Sequence, residues 1–159
     1  ADQENTGIIT GIAGRKGFSV ITIEKDMMNS ELGFGRRVLE ALEDSGVPFE
    51  HLPSGIDTMS VVVSTAALEK NKTKVINDIC DAVEPDSISV EEGLALIAVV
   101  GRNMVRAKGT AKKVFHAIYK AETNVRMIDQ GSCEFNIIVG VDSNDFERTL
   151  CAIYDEFMK

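Results

Sequence analysis

The sequence predicts an α+β fold of two ferredoxin-like βαββαβ units, each an antiparallel sheet with helices on one face, the first inserted into the second. Three observations carry this expectation. GFSVITIE (17–24) resembles GLALIAVV (93–100) at an offset of 76 residues, close to half of the 159-residue chain. Each copy alternates runs rich in β-branched residues with stretches of helical apolar periodicity. One strand is left over at the start, GIITGIA (7–13), and one is missing at the end. The leftover strand completes the second unit, which gives boundaries of 16–92 for the first unit and 6–15 plus 93–159 for the second.

The elements follow in order. FSVITIE reads as a strand, and Phe34, Val38, Ala41 and Leu42 recur on one face of a helix. Gly46 stands where that helix stops. VPFEHL and MSVVVS are strands separated by the turn-like PSGID. Leu68, Val75, Ile76, Ile79 and Val83 mark one further helix, closed by Glu84-Pro85. SISVEE (87–92) closes the first unit. In the second copy LALIAVVG is a buried strand, and Ala111, Val114, Phe115 and Ile118 mark a helix. NVRMID and EFNIIVGV are strands. Phe146, Leu150, Ile153 and Phe157 mark the last helix, with Asp142 to Asn144 as its capping region. Gly33, Arg37, Val38 and Ala41 match Gly109, Lys113, Val114 and Ala117 at an offset of 76. Val47 matches Val125 at 78, and MSVVVS (59–64) matches FNIIVG (135–140) at 76 again. The drift reads as two extra residues at the end of the second copy's first helix, offset by two extra in PSGIDT.

Composition narrows the function classes. Seventeen Lys+Arg against 25 Asp+Glu give a net charge of −8, which disfavours phosphate-backbone binding. No apolar run approaches the ~20 residues that span a bilayer. ADQENTG is not a secretory start, and a first residue of Ala fits either processing or a piece of a longer chain. Cys80, Cys133 and Cys151 form no CxxC and read as small buried residues in a reducing cytosol. No GxxxxGK[ST], GxSxG, HExxH or GxGxxG motif occurs. His51 and His116 read as structural, His116 lying beside the apolar stripe of its helix. The expectation is therefore binding rather than turnover.

DMMNSELGFGRR (26–37) is longer than a strand–helix link needs, and Gly33 and Gly35 bracket Phe34 at the helix start. Backbone amides at a helix N-terminus suit a carboxylate. Opposite lies VPFEHLPSGIDTMS (47–60), whose Glu50 and Asp57 suit a cation. A ligand with a carboxylate at one end and an ammonium at the other, a basic amino acid, matches the pair. Plain readings stand beside this one: a tight turn for the glycines and an exposed strand residue for Glu50. The second copy has RNMVRAKG (102–109) and MIDQGSCEF (127–135) in these places, a pattern that does not match the same ligand.

VEEGLALIAVVG (90–101), GTAKKVFHAI (109–118) and NVRMIDQGSCEFNIIV (124–139) resemble the second ACT domain of the aspartokinase regulatory region. MMNSELGFGRRVLEALEDSGV (27–47) with EHLPSGIDTMSVVV (50–63) resembles the first. The similarity runs from about residue 6 over nearly all of the chain, which lacks the KFGGTS-type kinase motif. The resemblance implies the C-terminal regulatory region of a monofunctional, cytoplasmic aspartokinase, with the catalytic domain in cis. It implies homodimers through the ACT domains and an effector amino acid at the dimer interface. The MxxxxGF loop (Met28 to Phe34) is closer to lysine-inhibited members than to threonine-inhibited ones. The effector residues carried over are Met28, Asn29, Ser30, Gly33, Phe34, Gly35, Phe49, Glu50, Ser54, Gly55, Ile56 and Asp57. Because PSGIDT is two residues longer than the lysine-type pattern, either Asp57 or Thr58 takes the place of that pattern's acidic residue. No catalytic residue, metal or cofactor is expected in this chain, whereas the parent enzyme would use ATP and Mg. No nucleic-acid or membrane partner is expected. The rival readings are a constitutive dimerisation module without a small-molecule effector, and a small hydrolase on the same fold.

Overall fold

Residues opposite each other in an antiparallel pair share a face of the sheet, and successive residues alternate. Ile21 sits opposite Val61 and Ile23 opposite Met59, and all four are buried. That alternation organises the first half of the computed structural model, which describes residues 9–101, 109–130 and 136–158. The chain forms two compact units, residues 17–93 and a second assembled from residues 9–16 with 94–158.

Strand β1 (Ile9–Glu24) enters the 17–93 unit at Gly17 and leads to helix α1 (Phe34–Asp44), strands β2 (Phe49–His51) and β3 (Thr58–Ser64), helices α2 (Thr65–Glu69) and α3 (Lys72–Val83), and strand β4 (Ser87–Gly101). The strand order in this unit is β2-β3-β1-β4. α1 packs along α3, and Phe34, Val38, Leu42, Val75 and Ile79 close the core over Ile21, Val61 and Val63. Gly46, at φ 68, ends α1 in a left-handed turn that returns the Gly46 and Val47 amides to the Glu43 and Leu42 carbonyls.

The other unit takes the first half of β1, the second half of β4, helix α4 (Thr110–Lys120), strands β5 (Val125–Asp129) and β6 (Asn136–Asp142), and helix α5 (Phe146–Phe157). Its strand order is β1-β4-β6-β5. Val114 and Ile118 of α4 and Ile153 of α5 cover Ile97, Val139 and Val141. With a helical layer and an antiparallel sheet in each unit, the fold is α+β and ferredoxin-like. Among the described residues no helix is long and apolar enough to cross a membrane.

The structure revises several expectations. The described part of GIITGIA, from Ile9, and GFSVITIE are parts of one strand, as are SISVEE and LALIAVVG. Gly17 (φ +92) and Gly93 (φ +76) let the backbone bend without leaving the strand, so GRKG and VEEG do not break it. The helix expected from Leu68 to Val83 is two. Asn71 leaves helical geometry at φ −141 and donates from its side chain to the Ser45 carbonyl at 3.1 Å. The strand expected over VPFEHL is only Phe49–His51. The last helix is not capped by Asp142 to Asn144: a 3-10 turn, Ser143–Asp145, precedes it, and no side chain caps it. Cys151 and His116 are exposed and Cys80 is partly buried, while Cys133 lies outside the described residues.

The repeat register also changes. Ser64 pairs with Phe18, and Asp142 pairs with Leu94. β3 therefore matches β6 at an offset of 78, not 76, and the two strands share one pattern of alternating burial. Phe49 pairs with Val63 and Val125 with Val141, so Phe49, not Val47, is the counterpart of Val125. The extra two residues thus fall in the β5–β6 connection, and α1 and α4 correspond without an insertion. A slip of two restores the same face of a strand, so apolar alternation alone cannot distinguish the two registers.

In this register Val62 corresponds to Gly140. A Cβ at Gly140 would stand 2.9 Å from the Met127 Cβ and 3.1 Å from a Leu94 methyl. Gly140→Ala is expected to destabilise the protein by about 1–3 kcal/mol through overpacking. Gly11→Ala, where nothing lies within 4 Å of the new methyl, is expected to change stability by less than about 0.5 kcal/mol. Urea unfolding of both variants checks the contrast.

Candidate functional site

The β1–β3 ladder fixes where the Gly-bracketed loop leaves the sheet. Glu24 is opposite Thr58, and the Lys25 amide continues the pairing onto the Asp57 carbonyl at 3.0 Å. The loop therefore emerges beside the PSGIDT turn. Ser54 bridges to Met59, the Gly55 amide donates to the Thr58 carbonyl at 2.7 Å, and the Ser60 amide donates to Pro53 at 2.8 Å. The Asp57 carboxylate reaches across and accepts the Met27 amide at 3.2 Å through Oδ1.

Within the loop, Met28–Ser30 form one 3-10 turn. Met28 and Phe34 are buried and anchor the loop to the core below, while Asn29 and Ser30 point outward. Gly33 takes φ 78 immediately before α1, a conformation costly for a side chain with a Cβ. No side chain caps α1, and no acidic residue lies in its first turn. The first amides of α1, with their partial positive charge, thus receive no side-chain cap.

Other residues hold this loop that sequence reasoning missed. Glu31, about a third exposed, receives Lys25 Nζ on Oε1 and Arg37 Nη2 on Oε2, both at 2.8 Å. Lys25 Nζ also donates to the Val83 carbonyl, at the C-terminal end of α3, at 2.6 Å. The Asp26 amide donates to Asp86 Oδ2 at 2.7 Å. A spacing of six residues matches no helical period, and the stretch between Lys25 and Glu31 is not a strand, so only the loop's shape brings Lys25, Glu31 and Arg37 together.

Not all expected site residues meet. Met28, Asn29, Ser30, Gly33, Phe34 and Gly35 share one end of the sheet with Ser54, Gly55, Ile56, Asp57 and Thr58. Phe49 and Glu50 do not reach it. Phe49 is level with Val63 and hence with Ser19, five residues from Glu24, or about 16 Å along a strand. Phe49 and Ile56 are both exposed apolar side chains, 48% and 70% accessible, as are Met27 and Leu32. The second copy's counterpart loop falls largely in 102–108, outside the described residues, as does 131–135 of its hairpin. Among the described residues no group of three or more His, Cys, Asp or Glu side chains suits a metal ion.

Comparison with known proteins gives four findings. A family model for the ACT domain matches residues 97–157. Aspartokinase 3 of Bacillus subtilis is 40% identical over 157 residues, covering 98% of this chain and 35% of that protein. Among solved structures, Clostridium acetobutylicum aspartate kinase superposes with a TM-score of 0.93 at 49% identity, over 98% of this chain and 36% of that one. Escherichia coli aspartokinase III in complex with lysine and aspartate shares the fold, with a TM-score of 0.78 at 22% identity, over 99% of this chain and 35% of that one. The chain thus spans about a third of the length of these relatives.

The hydrogen bond from Lys25, followed by the positive charges of Lys25 and Arg37, holds the Glu31 carboxyl below its ordinary value of 4.5 against partial desolvation. The folded value is the lower one. The stabilisation is therefore complete above the ordinary glutamate range and fades as pH falls through the lowered value. Carbon-detected titration is expected to give Glu31 a midpoint below 4.5, rising in Lys25→Met; a parent midpoint at or above 4.5 contradicts the ion pairs.

Proposed function

This chain belongs with the ACT-domain regulatory regions of the aspartokinase family, and from that premise we propose that it senses an amino acid, L-lysine, and relays its occupancy to an aspartate-phosphorylating catalytic domain on the same polypeptide. The observation that carries the reading is a loop that starts on the Asp57 carboxylate, through the Met27 amide, and ends at the uncapped N-terminus of α1. The ligand's carboxylate sits on the amides around Gly33–Gly35. An ammonium group meets the Asp57 oxygen not taken by Met27, with Ser54, Gly55, Ile56 and Thr58 shaping the turn. Met28, Asn29 and Ser30 form the loop wall, and Phe34 anchors it.

Glu50 and Phe49 of the same chain are too far away to join this site, so in this reading a second copy supplies them across a two-fold axis. The exposure of Phe49 and Ile56 supports such a pairing. The lysine complex of the Escherichia coli relative supports the choice of effector. Lysine acts only through its difference in affinity between two arrangements of the protein. A coupling of about 1–3 kcal/mol corresponds to roughly 5–150-fold inhibition of a catalytic domain. A cytoplasmic biosynthetic enzyme that uses ATP and Mg fits this role.

A second reading has one observation in its favour. Leu32 is 93% exposed and Met27, in the same loop, 64% exposed, as in a surface covered by a permanent partner. In that case the dimer is constitutive and no effector matters. Sedimentation separates the readings: a tight dimer indifferent to every amino acid favours the second.

Calorimetric titration with L-lysine, L-threonine and L-methionine is expected to give heat with lysine. No heat at millimolar lysine removes the lysine assignment. Glu50→Ala is expected to weaken lysine binding by about tenfold, the loss of one charged hydrogen bond. Unchanged affinity takes Glu50 out of the site.

A further inference from the structure

The loop between β1 and α1 is held at its start by the Asp86 and Asp57 carboxylates and pinned to the core by Met28 and Phe34, but the stretch between these pins rests on local turns and on Glu31. Its internal bonds are a few single contacts, among them the Ser30 amide to Met27 and the Glu31 amide to Met28. Most of its side chains are exposed, so each ordered residue loses backbone entropy without much burial in return. Yet the proposed ligand site requires this loop in one conformation. What ties its two ends is one carboxylate. Glu31 Oε1 holds Lys25, where β1 ends, and Oε2 holds Arg37, in the first turns of α1. Lys25 extends the tie to the last carbonyl of α3. Arg37 Nε is buried and has no hydrogen-bond partner, so Glu31 carries much of the compensation for that guanidinium.

The sequence of the second copy points the same way. At the repeat offset of 76 the positions of Lys25, Glu31 and Arg37 are Gly101, Ala107 and Lys113. The arrangement belongs to the copy with the candidate site and is not a property of the fold as such.

We propose that Glu31 is a positioning residue for the effector site: it touches no ligand but holds the 25–33 loop in its ligand-ready conformation through Lys25 and Arg37. This inference rests on the effector-binding reading above. It opposes the simplest electrostatic expectation. Removing the Glu31 charge makes the surroundings of the α1 N-terminus more positive, which alone would strengthen carboxylate binding. Preorganisation acts the other way, because the apparent affinity falls with the fraction of molecules holding the competent loop.

The test uses this chain and its Glu31→Gln, Lys25→Met and Lys25→Met/Glu31→Gln variants, with urea midpoints to verify folding. Calorimetry with L-lysine is expected to show about 5–10-fold weaker binding for Glu31→Gln, and no further loss in the double variant. Hydrogen exchange of the backbone amides at positions 30 and 31 in the free protein is expected to accelerate at least about fivefold in Glu31→Gln, while the Val61 and Val63 amides are unchanged. A general loss of stability would accelerate all four. Should Glu31→Gln not fold, Glu31→Asp, whose shorter arm cannot hold both cations, replaces it with the same expected direction. Parent binding together with unchanged or tighter binding by the variant overturns the positioning role and leaves the effector site standing. No binding of lysine, threonine or methionine by the parent overturns both.

Discussion

The seven-residue ladder between β1 and β3 determines where everything else in the 17–93 unit can be. It runs from Phe18 opposite Ser64 to Glu24 opposite Thr58. Because strand residues alternate faces, this register puts Ile21, Ile23, Val61 and Val63 under α1 and α3. The same register decides which loops are neighbours. A chain leaving the sheet after Glu24 has to emerge beside the residue preceding Thr58. The proximity of the Met27 amide to the Asp57 carboxylate is therefore a consequence of core packing, not of any attraction between the two loops. A site assembled this way inherits the rigidity of the sheet at its base. Its upper wall depends on charged contacts that the core does not supply.

The second unit repeats the ladder, with Leu94 to Val100 paired against Asp142 to Asn136. It does not repeat the site. Whether the offset is taken as 76 or 78, the counterpart of Asp57 is Cys133 or Phe135, neither of which carries a charge. Gly140 stands where the first unit has Val62, and the Met127 and Leu94 side chains fill the space. The cores have thus drifted by exchange of volume between facing positions, which packing tolerates when the total is kept. The polar loops have drifted without such a constraint. A duplication that keeps its strands and helices while its loop sequences diverge leaves the two units free to take different roles.

Much of this is legible in the residues because it rests on local rules. Helical spacing of Phe34, Val38, Ala41 and Leu42, followed by Gly46, locates α1 and its end. Alternating β-branched residues locate β3 and β6. The resemblance to aspartokinase ACT domains rests on the MxxxxGF loop and the VEEG strand, and it leads to the fold. What escapes has a common physical origin. Strand continuity through Gly17 and Gly93 depends on backbone angles that the letters GRKG and VEEG do not disclose. The break at Asn71 depends on a hydrogen bond to Ser45, distant in sequence. The register of β6 is degenerate to a slip of two. Lys25, Glu31 and Arg37 meet only once the loop is folded. Long-range partners of polar side chains are the part of a structure that periodicity does not encode.

Gly17 and Gly93 mark where the 17–93 unit begins and ends, and both lie on strands that are neighbours in the sheet. A segment that enters and leaves its host through adjacent strands can be exchanged as a cassette, since neither junction has to move to close the gap. Left-handed glycines at both junctions accommodate small differences in strand direction between donor and host. Such architecture allows a lineage to replace the whole 17–93 unit by recombination while the flanking strands, and whatever they serve, persist unchanged.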